Sequence, residues 1–202
     1  MSILKTTLRW FTDGAQHVYL HGTNRWGNPT PIRADTATHS LVTVVHEHAE
    51  VHAGNAFRYN DPVTIASGAS QDYLLTVPDT TKWPHFQLSV DGTAITTVEV
   101  FEASDRTGTT AQTVFNANRN STIAAGLTIH KGTSGGTTDG TSIYKYSSGT
   151  SSGASKMEGI SAYSSERVLK QNTKYIIRIT SGTNGNLCNL HCEWYEHTSL
   201  TT

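Results

Sequence analysis

An all-β chain is what the sequence predicts: a jelly-roll-like antiparallel β-sandwich with an extended N-terminal arm. Three observations predict it. Short runs of Val, Ile, Leu, Thr and aromatic residues recur at spacings of about 8 to 12 residues, with turn residues between them. Helical periodicity is nearly missing, and its best candidate, Ser164 to Gln171, is one or two turns at most. Hydrophobic residues make up 36 % of the chain while Gly, Ser and Thr abound, a balance suited to many turns and polar loops.

The first forty residues do not read as a compact domain. Leu4, Leu8, Trp10 and Phe11 form one apolar patch, Val18 to Leu20 a second, and Trp26 stands alone between Asn24 and Asn28. Asp13-Gly14, Gly22, Gly27-Asn28-Pro29 and Pro31 interrupt every periodic run. Large apolar side chains without a pattern of their own have two explanations. They order as an arm against something else, whether the rest of the chain, a second copy or another protein. Alternatively, they supply the first short strands of the same domain. The arm reading places residues 1–40 outside the sandwich and residues 41–202 within it, with Leu8, Trp10, Phe11 and Trp26 as partner contacts.

From Leu41 the strand signals are steady. Leu41 to Val45 is apolar and β-branched, Val51 to Tyr59 is a candidate strand around Gly54, and Pro62 to Ala66 ends at Ser67-Gly68. Asp72 to Val77 ends at Pro78-Asp79. Phe86, Leu88 and Val90 alternate up to Asp91-Gly92, which predicts a hairpin returning along Ile95 to Phe101. Ser104 to Ser121 reads as loop and Ile123 to Ile129 as a strand. Residues 131–156 are dominated by Gly, Ser and Thr, with Ile143, Tyr144 and Tyr146 as anchors. So little apolar burial predicts a long mobile loop or hairpin. Two strong strands close the chain. Tyr175, Ile177 and Ile179 share a face of the first; Cys188, Leu190, Cys192 and Trp194 share a face of the second. About nine such runs fit a two-sheet jelly roll.

Several function classes are disfavoured. The formal net charge of −1, without a basic stripe, argues against nucleic acid as a partner. Residues 1–11 lack the apolar core of a signal peptide, and no run reaches the roughly 18 apolar residues that cross a bilayer. Synthesis in the cytoplasm and no membrane partner are therefore expected. Cys188 and Cys192 would lie about 13 Å apart along a strand, too far for a disulfide, and read as buried hydrophobes. No Gly-x-Ser-x-Gly elbow, P-loop or dinucleotide fingerprint occurs. Glu99 with Glu102, and Glu193 with Glu196, read equally well as edge-strand charges and as paired carboxylates for glycoside cleavage. No catalytic residue and no cofactor is expected.

The densest chemistry lies at His46-Glu47-His48-Ala49-Glu50-Val51-His52. It starts like a zinc-protease helix, but position 50 is Glu where that motif needs His. As a strand it points His46, His48 and His52 to one face, with neighbours about 6.7 Å apart and His46 about 20 Å from His52. As a helical turn it lets His48 and His52 chelate. The strand is the favoured reading, a polar face at an interface with no resident metal. Ten histidines in one chain also suggest contacts that weaken below about pH 6.5 if several lie between subunits.

Glu47 to Phe57, Ser67 to Pro78, Pro84-His85-Phe86, Val100 to Ala103 and the Asn116 to Asn120 cluster resemble small structural proteins of tailed bacteriophages. The likeness runs over residues 46–130 and points to capsid decoration, or cement, proteins. It implies a jelly-roll domain that forms a homotrimer on the outside of the head, with an arm laid across the major capsid protein. The function so implied is non-enzymatic stabilisation of the virion. A tail or fibre component that binds a host-surface glycan is the alternative, with Trp26, Trp83, Tyr144 and Tyr146 as candidate stacking residues.

Overall fold

The computed structural model describes residues 21–23, 29–31, 46–149 and 166–198. The chain divides into two units, Met1–Val45 and His46–Thr202. In the first, β1 (His21–Thr23) and β2 (Pro29–Pro31) pair antiparallel. The expected Leu41 to Val45 strand lies outside the described residues.

The second unit is an all-β sandwich with one short helix among the described residues. After α1 (His46–Ala53) come β3 (Ala56–Ile65), β4 (Ser70–Val77), β5 (Lys82–Gly92), β6 (Thr96–Glu102), β7 (Thr107–Ala111) and β8 (Phe115–Asn116). Then follow β9 (Thr128–Ser134), β10 (Thr141–Ser148), β11 (Arg167–Val168), β12 (Thr173–Ser181) and β13 (Asn186–Thr198). One sheet has the order β10-β6-β12-β4-β9-β7, the other β11-β5-β13-β3-β8, and every pairing is antiparallel. The pairings nest: β3 with β13, β4 with β12, β5 with β11, β6 with β10. The insertion β7 to β9 folds back so that β9 extends the first sheet beside β4 and β8 touches β3 in the second.

Alternation builds the core. Cys188, Leu190, Cys192 and Trp194 of β13 meet Tyr175, Ile177 and Ile179 of β12 in one buried cluster with Phe57, Tyr73, Leu75, Phe86, Leu88 and Ile129. Both cysteines are buried thiols, as expected. Leu74 and Ile176 lie opposite each other in the ladder, outside that cluster, and are buried too. A strand covered on both faces reads as a continuous apolar run, which Leu74-Leu75 and Ile176-Ile177 do.

Several expectations are corrected. Asp91-Gly92 does not make a hairpin. β5 and β6 lie in different sheets, and Thr93 to Ile95 carries the chain between them. The two runs alternate as hairpin arms would, but each finds its ladder with late strands. Ser164 to Gln171 is not a helix: Arg167–Val168 forms β11 against β5, while residues 164–165 lie outside the described residues. The Gly/Ser/Thr-rich stretch is structured over its described residues, 131–149, and residues 150–156 lie outside them. β10 pairs along β6, Tyr144 packs on the core and the Arg167 guanidinium lies 4.7 Å from its ring centroid. Backbone pairing on an existing strand supplies there what apolar burial does not. The Ile123 to Ile129 strand begins only at Thr128. The segment before it is held by Glu196, whose carboxylate accepts the N–H groups of Gly126 and Leu127.

Candidate functional site

The His-rich run is a helix, which corrects the strand reading. Its residues include no Gly or Pro, and the glycine that ends it supplies the cap. Gly54 has φ +78°, its N–H donates to Val51 O at 3.1 Å, and Asn55 N–H donates to Glu50 O at 3.0 Å. These two bonds form a Schellman cap. Side chains fasten the end: Asn116 Nδ2 donates to Gly54 O and Asn118 Nδ2 to His52 O. Lys82 Nζ donates to Asn55 Oδ1, and Asn55 Nδ2 to Glu50 Oε2.

His46 sets one end of α1 against a cluster of rings. Its ring stands edge-on to Tyr195 (centroids 5.6 Å apart) and to His197 (5.3 Å). His85 stacks on Tyr195 at 4.6 Å and on His197 at 4.4 Å. Strand geometry explains the gathering. Tyr195 and His197 are two apart on β13, so they share its outer face, and His85 is the cross-strand partner of Tyr195 on β5. Glu166, just before β11, joins the cluster. Its Oε1 lies 2.5 Å from His85 Nδ1 and accepts the Tyr195 hydroxyl at 2.9 Å. Burial works to raise the Glu166 carboxyl, but the hydrogen bonds from His85 and Tyr195 outweigh it and hold the group below its ordinary range. Burial, then the bond to Glu166, pushes the Tyr195 phenol up.

Beside this cluster a groove of about 320 Å³ runs between α1 and the outer face of the five-stranded sheet. Glu47 and Val51 form its wall, and Arg58, Gln87 and Glu193 line it as one cross-strand row. Arg58 Nε and Glu193 Oε1 pair at 2.9 Å. Glu99 and Glu193 are not edge charges, because β6 and β13 are flanked on both sides. Glu102 pairs with Lys170, and Glu196 is buried with Trp194 Nε1 donating to it at 3.0 Å.

His48 and His52 are exposed, four apart, with Nε2 atoms 2.9 Å from each other. His46 is separate from that pair in its contacts. Leu8, Trp10, Phe11 and Trp26 lie outside the described residues. Trp83 and Tyr146 are exposed, whereas Tyr144 is partly buried. His85, Glu166, Tyr195 and His197 were missed by sequence reasoning. Ring residues two apart, Trp83/His85 and Tyr195/His197, were the available signal. Among the described residues, no group of three or more His, Cys, Asp or Glu side chains is placed to share a metal. Comparisons with protein-family models, with curated proteins and with solved structures give no match to this chain.

Proposed function

We propose that this chain is a non-enzymatic structural protein of a phage particle. It binds the outside of the capsid as a homotrimer and stabilises joints between major capsid protein subunits. The observation that carries this is the pairing of a nested sandwich with a separate N-terminal unit, Met1–Val45. The order β11-β5-β13-β3 over β10-β6-β12-β4 supports reading the sandwich as a jelly roll, an architecture that viral capsid domains use. Folds host many functions, so the viral assignment leans on the resemblance over residues 46–130. Many copies, each adding a modest contact and an arm, raise avidity without any single strong interface. Deleting residues 1–30 is expected to leave a folded sandwich that no longer decorates capsids in electron micrographs. Undiminished decoration by the truncated protein would sink the arm model.

The groove favours a second reading, a tail component holding a host-surface glycan. Arg58, Gln87 and Glu193 offer planar donors and acceptors for sugar hydroxyls, with Val51 and Ala56 as apolar neighbours. A glycan array separates the two readings: selective retention that Glu193→Ala abolishes favours the glycan.

A further inference from the structure

We infer that the exposed face of α1 is a two-donor site for a borderline transition cation of the Cu²⁺, Ni²⁺ and Zn²⁺ class, held by His48 Nε2 and His52 Nε2. The two nitrogens are 2.9 Å apart, joined by a hydrogen bond that one ring donates to the other, and both side chains are exposed to solvent; a cation would take the place of that shared proton, with each ring protonated on Nδ1 instead. Imidazole binds such cations at about 2.0–2.1 Å. Two donors at that distance on adjacent corners of a square or octahedron are about 2.9 Å apart, and on a tetrahedron about 3.3 Å. The 2.9 Å separation is that of the hydrogen bond a cation would displace, and a small rotation of either exposed ring reaches both spacings. The intrinsic order of affinity among these cations puts Cu²⁺ first. Oxygen-seeking Mg²⁺ and Ca²⁺ have no ligand there that they prefer.

Preorganisation separates this pair from two histidines on a mobile surface. The last turn of α1 is closed by the Gly54 cap, and Asn118 ties down the carbonyl of His52 itself. Holding the rings four residues apart on one helical turn makes the second donor intramolecular. The neighbouring carboxylates have other partners. Glu50 takes Asn55 and lies 3.7 Å from His46, and Glu47 lines the groove. The chain thus supplies two donors, and water or a donor from another molecule fills the remaining positions. A bound cation would also cross-link the last helical turn and stabilise α1.

Titration of the full chain with NiCl2, followed by NMR, tests the inference. Paramagnetic broadening is expected at micromolar Ni²⁺ and confined to α1 and the Asn116 to Asn118 contact. MgCl2 is expected to do nothing. His48→Ala or His52→Ala should lower the Ni²⁺ affinity at least about tenfold, since each leaves a single donor. His191→Ala, at a half-buried histidine elsewhere on the sheet, should change nothing. Both α1 substitutions are at exposed positions, and the unchanged amide spectrum of each apo variant verifies its fold. Broadening that begins only at millimolar Ni²⁺, that survives the double variant, or that centres on other histidines would overturn the site.

Discussion

Glu196 illustrates how much one side chain can decide. It is 6 % exposed, on a central strand, with no cation paired to it among the described residues. Its carboxylate instead accepts three N–H groups, from Gly126, Leu127 and Trp194 Nε1. Those bonds hold the chain ahead of β9 where a ladder does not. Glu196→Ala leaves two buried donors and one half-buried donor unpaired and should cost about 2–4 kcal/mol in urea unfolding. A loss under about 0.5 kcal/mol would contradict the role given to it. Gly54 is a second such residue. Its φ of +78° suits glycine, and a Cβ there would meet the Ser121 side chain. Gly54→Ala should therefore destabilise the domain by about 1–3 kcal/mol, with the largest rise in amide exchange in α1.

At the scale of elements, the turn between β9 and β10 has a pH dependence of known sign. The Asp105 carboxylate accepts the backbone N–H groups of Thr137 and Thr138 and the Thr137 hydroxyl. The bonds from Thr138 and Thr137 lower its pKa to about 2. A depressed folded pKa means stabilisation that is complete above the ordinary value near 3.9 and lost as pH falls through the folded value. Acidification from pH 5 to pH 2 should therefore loosen this turn, read as lower protection factors (exchange relative to the intrinsic rate at each pH) at Thr137 and Thr138. Asp105→Asn should show the same loosening at pH 7. Resistance of the turn in both conditions would rule the account out. Alternation on β12 and β13 was legible in the sequence because period two depends only on neighbours in the chain. The helical state of His46–Ala53 was not. Its residues suit helix weakly, and its ring contacts and caps come from β5, β13 and the Asn116 to Asn118 turn.

For the whole molecule, nesting has two consequences. Pairing the first strand with the last, and each next with its counterpart, makes the contacts long-range, so folding is expected to be slow for the domain's size. It also leaves edges to be protected. Beyond its two-residue pairing with β8, the outer edge of β3 carries Pro62, which has no N–H to offer. Asp61 beside it is bound by Tyr73 and Lys131. Both features discourage edge-to-edge association. Binding to a capsid would then use the N-terminal unit and the sheet faces, and loss of decoration on deleting residues 1–30 remains the measurement that decides it.

The sequence by itself determined the β-class, the buried thiols and which face of each closing strand is apolar. Each of these follows from local composition and a two-residue period. Only the tertiary structure decided that β5 and β6 part into different sheets across Asp91-Gly92 and that residues 141–148 become a strand on β6. It also decided that His46, His85, Tyr195, His197 and Glu166 meet. A strand's own residues set its faces, but its partners are chosen by backbone ladders between segments far apart in the chain, and local pattern carries no record of that choice.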